Sequence, residues 1–483
     1  MRLILTLLAV IATYTNPILY ADWSDPDPIC IDGQYWMTAS SFNCVPGLPL
    51  LHSNDLVNWT LVNYALPEGS VYWQGALTSP DHGNGVWAPS IRWRDGVFFI
   101  FWGDPDRGIF QVHSSDPSGK WSEPVCVIEG KGYIDPCPLF DDDGRVYLVH
   151  GWARSRCGFN GVLHACELDA GCTKAISEDV PVFDGNGTGN YTVEGPKFYK
   201  KDGMYWIFAP AGGVKEGWQL AMRSESVFGP YEWRKVLEQG STAVHGPHQG
   251  GWVEDAAGNS WFIHFEDRYA WGRVTHLQPM EWDDDGWCLI GDDPDGDGIG
   301  QPVDGFELPS AFPTRKYKEA VPFQWQGDPD VKWFRRGRLR FAKKPEGSHN
   351  LWSVPALLLR KIEGPDMRYD TTLKLRRRGS RCRTGVVVMG QDYSTVELVR
   401  KDDGIYIERR NCISADKGSR EEIVFSERAG RKIRVRVSID EKAICTFEYS
   451  ADGRTYLQAG EPFKAKEGRW IGARIGTFAL LED

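Results

Sequence analysis

A polar turn followed by an aromatic-rich apolar run recurs along the first 290 residues of the chain. The five turns lie at Asp32-Gly33, Asp95-Gly96, Asp143-Gly144, Asp202-Gly203 and Gly258-Asn259. Their glycines are 63, 48, 59 and 55 residues apart, about the length of one four-stranded propeller blade with a functional loop. An irregular β-sandwich would not explain five recurrences at this spacing. The pattern therefore predicts a five-bladed β-propeller.

From about Pro309 the pattern changes to alternation of apolar and polar residues. Clear examples are the runs 368–375, 385–390 and 431–437. A period of two is typical of half-buried β-strands, and no helical periodicity is sustained in this region. The pattern predicts a second all-β unit, a jelly-roll-like two-sheet sandwich. We expect a propeller domain at 14–305 and a sandwich domain at 306–483.

Composition and charge agree with an all-β chain in two parts. Of the 483 residues, 13% are aromatic and 53 are glycine, a balance that favours short strands joined by tight turns. Residues 1–300 carry 19 Lys and Arg against 40 Asp and Glu, a net charge of −21, whereas residues 301–483 carry 36 against 26, a net charge of +10. The change of sign indicates two folding units. The acidic part would repel phosphates, which argues against a nucleic-acid partner.

The N-terminus has the pattern of a secretory signal. Arg2 is followed by an apolar run, Leu3–Ala12, that is too short to span a bilayer. We expect residues 1–13 to be a signal peptide and the protein to be secreted or periplasmic, without a membrane span. A first buried strand is the alternative. The 11 cysteines form no Cys-x-x-Cys pair, so neither a disulfide scaffold nor a zinc site is indicated.

Three acidic residues occupy positions that the repeat itself does not require. Asp25, Asp135 and Glu194 precede the predicted first strands of the first, third and fourth repeats, and each is followed by Pro or Gly-Pro. These equivalent positions would direct all three side chains toward the centre of the propeller. Convergent carboxyl groups suit hydrolysis of a glycosidic bond, where one protonates the leaving oxygen and another activates water. For each acid alone, turn capping is the alternative.

Several segments resemble motifs of the family-43 glycoside hydrolases, in that family's order. Those that carry the resemblance are Asp22-Trp23-Ser24-Asp25-Pro26-Asp27, Ser40-Ser41-Phe42, Gly85–Ile91, Tyr133-Ile134-Asp135-Pro136, Glu194-Gly195-Pro196 and Gly272–Pro279. In the second half, the segments Phe323–Gln326 and Asn350–Pro355 resemble the sandwich domain of β-xylosidase and α-L-arabinofuranosidase members. The resemblance covers nearly the whole chain.

This resemblance implies a role for each acid. Asp25 corresponds to the general base, Glu194 to the general acid, and Asp135 to the residue that orients the acid and modulates its pKa. The family is inverting, so a water molecule attacks between a base and an acid that lie roughly 6.5–9.5 Å apart. Asp22 and Asp27, which flank the base, are assigned to turn or blade structure.

The resemblance also implies residues that contact the sugar. Phe42 and Trp87 match positions that form walls of the sugar subsite, where an aromatic face packs against the C–H side of a pentose. Burial in the core of a blade is the alternative for both. Arg273 matches a residue that contacts substrate hydroxyls near the acids, with a surface ion pair as its alternative.

Metal binding is a separate expectation. The resemblance implies an enzyme that requires no cofactor. His248, however, matches a histidine that many family members place near a central calcium ion. The residues around His248 differ from the family's commoner motif, so His245 and Gln249 are alternative candidates for the residue near calcium. The acidic segment 293–304 fits the start of an EF-hand loop, although an acidic turn between domains is the favoured interpretation because no flanking helices are indicated.

The sequence as a whole predicts an exo-acting, inverting hydrolase. It would release terminal α-L-arabinofuranosyl or β-D-xylosyl residues from arabinoxylan-type hemicellulose or from xylo- and arabino-oligosaccharides. The alternative is a non-catalytic propeller that binds carbohydrate. Because Asp25, Asp135 and Glu194 are all present, the catalytic interpretation is favoured.

Overall fold

The structure, a computed structural model, describes residues 12–73, 80–327, 333–334, 339–375 and 381–482. The predicted signal peptide lies outside these ranges except for its last two residues. Thr13 is already part of a strand, β1 (Thr13–Thr15). In the described part of the chain, no helix is long and apolar enough to cross a membrane.

Residues 27–290 form five antiparallel sheets of four strands each, and in every sheet the strands follow chain order. The first two sheets comprise β2 (Asp27–Ile31), β3 (Gln34–Thr38), β4 (Gly47–Ser53) and β5 (Thr60–Leu66), then β6 (Trp87–Arg94), β7 (Val97–Asp104), β8 (Gly108–Ser114) and β9 (Val125–Glu129). The third sheet comprises β10 (Tyr133–Phe140), β11 (Val146–Trp152), β12 (Val162–Leu168) and β13 (Val180–Asp184). The last two comprise β14 (Lys197–Lys201), β15 (Met204–Ala211), β16 (Trp218–Ser224) and β17 (Glu232–Leu237), then β18 (His248–Glu254), β19 (Ser260–Asp267), β20 (Arg273–Trp282) and β21 (Cys288–Ile290).

Each of the five predicted turns joins the first and second strands of one sheet. At Asp95-Gly96 both residues have positive φ, 52° and 83°, as a tight two-residue hairpin turn requires. The aromatic residues after the turns fill the cores between neighbouring sheets. Trp36 and Phe98, for example, belong to one apolar cluster shared by the first two sheets. The repeat seen in the sequence is therefore a repeat of hairpins.

The five sheets close into a ring. β2 contacts β6, β6 contacts β10, β10 contacts β14, and β18 contacts both β15 and β2. The first strand of each sheet thus lies on the inside. The strand β22 (Gly305–Glu307) pairs with β1 and spans the predicted boundary at 305/306, which stays a prediction.

Two larger sheets follow, and they confirm that the chain is all-β. One has seven strands, in the order β23 (Gln324–Trp325), β24 (Leu357–Lys361), β34 (Arg474–Leu481), β26 (Cys382–Met389), β27 (Tyr393–Lys401), β28 (Gly404–Cys412) and β29 (Glu422–Arg428). The other comprises β25 (Met367–Lys374), β30 (Lys432–Ile439), β31 (Ile444–Ser450), β32 (Leu457–Gln458) and β33 (Phe463–Lys464). Their facing sides share one apolar cluster, which includes Val386, Leu398, Val435 and Val437.

Helical structure is limited to single turns in the described ranges. They are α1 (Arg154–Cys157) and the 3₁₀ segments Asn186–Thr188, Tyr269–Trp271, Leu351–Ser353 and Ala415–Lys417.

The C-terminal sheets pack on the ring at its fifth and first sheets. Ala270 and Trp271, from the turn after β19, belong to the same apolar cluster as the C-terminal sheets. The backbone N–H of Ala473 donates to the carbonyl of Ala270 at 2.7 Å. On the other side, the rings of His82 and Trp352 stack with centroids 3.6 Å apart. The C-terminal part therefore reaches the end of the ring where the predicted acids lie.

Candidate active site

One cavity at the centre of the ring brings together six of the seven predicted site residues, namely all those predicted to bind substrate or to catalyse its hydrolysis. Its volume is about 240 Å³. The six are Asp25, Phe42, Trp87, Asp135, Glu194 and Arg273. The seventh, His248, is fully buried. Residues up to 248 positions apart in sequence therefore meet in one small volume.

The acids converge because the inner strands share an unusual backbone conformation. Asp25, Ala88, Asp135, Gly195 and Gln249 all have positive φ, between 30° and 57°. Proline follows the first four. One residue with positive φ thus lies inside, or two residues before, the first strand of each sheet. The prediction that Asp135 precedes its strand is wrong, because it lies inside β10, where the pairing with β11 shifts register between Ile134 and Cys137. The bend at each site turns the chain toward the centre of the ring.

Asp25 is held on both of its carboxylate oxygens. The Ser40 hydroxyl donates to Oδ2, and Arg273 Nη1 lies 3.0 Å from Oδ1. Ser40 is fixed in turn, since its Oγ accepts the N–H of Ala88 at 2.7 Å. Asp22 accepts the backbone N–H of Arg273 at 3.0 Å, so it supports the arginine. Donors on both oxygens fix the orientation of the Asp25 carboxylate, which a general base needs in order to meet the attacking water.

Glu194 and Asp135 are linked through the backbone. Asp135 Oδ2 accepts the N–H of Gly195 at 2.8 Å, which fixes the chain directly after Glu194. Asp25 and Asp135 are buried, whereas the side chain of Glu194 is 29% exposed and faces the cavity. Burial, followed by the negative charges of Asp135 and Asp25, raises the pKa of Glu194 above its ordinary value. Glu194 can therefore carry a proton to a bound ligand near neutral pH.

Beneath the acids lies a cluster of buried charges that the sequence interpretation missed. Arg92 Nη1 lies 2.7 Å from Asp27 Oδ2, and Lys197 Nζ lies 3.7 Å from Asp27 Oδ1. Lys197 also donates to the carbonyl of Pro89 at 2.9 Å and to Ser90 Oγ at 2.8 Å. Burial, followed by the negative charge of Asp25, raises the pKa of Asp135, and the positive charge of Lys197 acts in the opposite direction. The sequence gives little signal for this cluster, because Lys197 begins a strand that carries two further lysines, Lys200 and Lys201, at half-buried positions.

Aromatic side chains form the walls of the cavity. The rings of Phe42 and Trp87 meet edge to face with centroids 6.3 Å apart. Trp87 Nε1 donates to the carbonyl of Gly83 at 2.9 Å, which fixes the indole. Trp470, from the C-terminal part, meets Trp87 at 6.3 Å and lines the same cavity. Sequence reasoning did not find Trp470, because nothing in the local pattern connects residue 470 to a site 383 positions earlier.

His248 is the residue on which the calcium expectation depends. Its Nε2 lies 3.7 Å from Glu194 Oε1, and both ring nitrogens are buried without a hydrogen-bond partner among the residues that the structure describes. Burial, followed by the charge of Arg273, lowers its pKa to about 3, so the imidazole is neutral and can accept a metal. Of the rivals, Gln249 lines the cavity, and His245 Nδ1 lies 3.2 Å from the carbonyl oxygen of Lys215.

A calcium ion beside His248 would take few ligands from the protein. Within the described ranges, no group of three or more His, Cys, Asp or Glu residues is arranged to hold a metal. Calcium prefers six to eight oxygen ligands, so water would have to supply most of them. In the segment 293–304, Asp293 instead accepts backbone N–H groups from Gly296 and Gly298, which is the bonding of a turn.

Comparison with known sequences assigns both parts of the chain. The sequence profile "Glycosyl hydrolases family 43" matches residues 14–288, and "Beta xylosidase C-terminal Concanavalin A-like domain" matches residues 316–482. The chain belongs to family 43 of the glycoside hydrolases. The predicted resemblance is confirmed, and so is the prediction of an inverting O-glycoside hydrolase.

Individual relatives match this chain over nearly its whole length. A putative β-xylosidase of Xylanibacter ruminicola is 34% identical, over 97% of this chain and 86% of the relative. A non-reducing end α-L-arabinofuranosidase of Bacteroides ovatus is 27% identical, over 92% and 82%. The crystal structure of a family-43 protein variant from Bacillus licheniformis has a TM-score of 0.82, with 25% identity over 97% of this chain and 96% of that chain.

Proposed function

We propose that this hydrolase releases terminal β-D-xylosyl or α-L-arabinofuranosyl residues, one at a time, from arabinoxylan-type hemicellulose and its oligosaccharides. The observation that carries the proposal is the cavity in which Asp25, Asp135 and Glu194 converge between Phe42 and Trp87. The names of the relatives from Xylanibacter ruminicola and Bacteroides ovatus support the two sugars. A cavity of only about 240 Å³ favours release of single terminal residues.

The proposal includes the finer architecture. The five four-stranded sheets act as the blades of a β-propeller, and the seven- and five-stranded sheets form a jelly-roll-like sandwich beside it. The propeller interpretation is supported by the closed ring of inner strands. The sandwich interpretation is supported by the apolar cluster between the two larger sheets. Ligands of propellers bind at a mouth of the central channel, which is where the cavity lies.

In the proposed mechanism, Glu194 protonates the glycosidic oxygen while Asp25 removes a proton from the attacking water. The water adds to the anomeric carbon from the opposite face as the bond to the leaving group breaks, so the configuration inverts in one step. Asp135 positions Glu194 through the N–H of Gly195 and maintains its raised pKa. Arg273 orients Asp25 and lines the same cavity, where it would contact substrate hydroxyls.

Two further assignments belong to the proposal. Hemicellulose polymers lie outside cells, so export of the enzyme, to the outside or to a periplasm, fits this substrate. A structural calcium ion could bind beside His248, whose unpartnered nitrogens suit a ligand. The ion would neutralise part of the carboxylate charge at the centre of the ring, and no step of the reaction depends on it.

The test is hydrolysis of 4-nitrophenyl β-D-xyloside, 4-nitrophenyl α-L-arabinofuranoside and arabinoxylan oligosaccharides by the wild-type protein and by Glu194→Gln. The variant should lose far more activity on the oligosaccharides, because 4-nitrophenolate leaves without protonation. Glu232→Gln, on an exposed outer strand, is the matched control and should keep full activity. Proton NMR of the first product should show the inverted anomer. Wild-type protein that binds these sugars without cleaving any of them would contradict the proposal.

A further inference from the structure

A second cavity lies between the fifth sheet of the ring and the C-terminal sheets. Its volume is about 630 Å³, larger than that of the catalytic cavity. The ring contributes His245 and the turn Arg268–Trp271, and the C-terminal part contributes Asp392, Glu441–Ala443 and Lys464–Glu467. The proposed mechanism uses none of these residues.

Neighbouring segments of chain line this interdomain cleft and the catalytic cavity. On the C-terminal side, Lys466 and Glu467 face the cleft, and Trp470, three residues further on, faces the catalytic cavity. On the ring side, Val214 lines the catalytic cavity, and the next residue, Lys215, has its carbonyl oxygen 3.2 Å from His245 Nδ1, and His245 lines the cleft. The two spaces therefore lie next to each other on both sides.

Tyr269 presents its ring at the edge of this cleft. The residue is 59% exposed and has a φ of 51°, an uncommon conformation for a bulky side chain. Its N–H donates to Asp267 Oδ1 at 3.1 Å, and its carbonyl accepts the N–H of Gly272 at 2.8 Å. Lys215 Nζ lies 5.4 Å from the ring centroid. These two hydrogen bonds hold the backbone of Tyr269 in an unfavourable conformation. In this conformation the aromatic ring is exposed to solvent.

The other groups in the cleft indicate what kind of ligand would bind. Lys464 and Lys466 offer hydrogen-bond donors, whereas Asp392 and Glu441 offer acceptors. Charges of both signs disfavour a polyanion, and a cleft with this many polar groups disfavours an apolar ligand. An exposed aromatic face together with mixed donors and acceptors suits a neutral chain of sugar rings, which has C–H faces and many hydroxyls.

We propose that the interdomain cleft binds the β-1,4-linked xylan chain that remains attached to the sugar being cleaved, with one xylosyl ring stacked on Tyr269. This inference rests on the proposed function and adds a preference for chain length. The terminal sugar occupies the catalytic cavity, and the leaving chain passes between Val214 and Trp470 into the cleft. Substrates too short to reach Tyr269 gain nothing from it.

The experiment compares kcat/KM on substrates of increasing length. One series is xylobiose to xylopentaose, and the other carries a terminal arabinofuranosyl group on xylobiose or xylotetraose, so that either sugar preference can be followed. For wild-type protein, kcat/KM should rise with length in the series that is cleaved. Tyr269→Asn tolerates the positive φ and should lower kcat/KM on the longest substrate roughly tenfold. It should leave the 4-nitrophenyl glycoside unchanged.

Two controls separate stacking from a structural effect. Tyr269→Phe keeps the aromatic face and should behave as the wild type, as should Trp233→Ala, which removes an exposed aromatic from the outer strand β17. Thermal unfolding shows whether Tyr269→Asn is folded. Hydrolysis without dependence on length, or equal losses on the aryl glycoside and the longest substrate, would overturn the cleft proposal alone. Absence of hydrolysis on every substrate would instead contradict the proposed function.

Discussion

Two clusters of buried charge, one in each part of the molecule, differ in how their charges are balanced. In the catalytic cavity three carboxyl groups face one guanidinium, and Arg273 Nη1 lies 3.0 Å from Asp25 Oδ1. In the seven-stranded sheet, Arg383 contacts Glu397 at 3.3 Å and Glu421 at 2.8 Å, and Arg410 contacts the same two carboxylates at 2.8 and 3.5 Å. Arg383 also contacts Glu482 at 3.1 Å, and Arg410 contacts Glu408 at 2.9 Å. Each carboxylate of this balanced cluster therefore contacts at least one cation.

The comparison shows that burial of charge does not by itself identify a functional site. Where each carboxylate contacts a cation, the cluster can serve structure alone, even though burial raises the pKa of Glu397. In the catalytic cavity the arginine pairs with one of the three carboxyl groups, and burial together with mutual repulsion raises the pKa of the other two, Asp135 and Glu194. The rest of the fold must offset the cost of this unbalanced cluster. The two clusters should therefore respond in opposite ways to substitution, with activity lost at one and stability lost at the other.

The largest expected effect is on activity, in Asp25→Asn. The amide cannot accept a proton from water, so kcat should fall by about 10²–10⁴-fold, the usual contribution of a general base. The variant should remain folded, because the amide oxygen still accepts hydrogen bonds from Ser40 or Arg273 and the side chain no longer repels Asp135. Steady-state kinetics and thermal unfolding on the same sample test both expectations. A variant that is inactive because it is unfolded would contradict this one.

The matching substitution in the balanced cluster is Arg383→Met. It removes one of the two arginines that contact Glu397 and Glu421 and leaves these buried carboxylates with Arg410 alone, which should destabilise the C-terminal sheets by about 3–5 kcal/mol. Urea unfolding followed by tryptophan fluorescence measures the change. The folded variant should keep its activity on aryl glycosides at low temperature. The double variant Arg383→Met, Glu421→Gln should recover part of the stability, and failure to recover any would show that the charges are not the cause.

A smaller effect is expected on the pH profile of Asp135→Asn. The general acid must be protonated, so kcat/KM falls as the pH rises through the pKa of Glu194. The charge of Asp135 helps to raise that pKa. An amide removes the charge but still accepts the N–H of Gly195, so the alkaline limb should move to lower pH. Asp402→Asn, at an exposed position, is the control, and a limb that stays in place would contradict the assignment of Asp135.

The sequence predicted the features that depend on local chemistry. A short turn rich in Asp, Asn and Gly before an aromatic run favours a hairpin. Asp95-Gly96 and the four equivalent turns could therefore be predicted from the sequence alone. The acids were found because an acidic residue before proline stands out from the repeat. The positive-φ bend beside each acid was not predicted. The same bend occurs at Ala88 and Gln249, which are not acidic, so the acids alone did not reveal it.

Features that depend on distant contacts could not be predicted in this way. Ser40 fixes Asp25 only because the N–H of Ala88 in the second sheet holds its hydroxyl. Lys197 is a buried cation only because Asp27 and the carbonyl of Pro89 surround it. The resemblance to a family supplied roles for Asp25, Asp135 and Glu194, but it did not supply these contacts. They depend on how the sheets are closed into a ring.

The smallest expected effect tests whether the C-terminal part also helps to bind substrate in the catalytic cavity, where the unbalanced cluster lies. Trp470 packs against Trp87 at the cavity mouth, so Trp470→Ala should raise KM for the aryl glycosides roughly two- to tenfold with little change in kcat. Leu457→Ala, at an exposed position in the same part of the chain, should change neither. A fall in kcat without a change in KM would mean that Trp470 acts on the acids and not on binding. No change in either constant would mean that the C-terminal sheets affect the active site through stability alone.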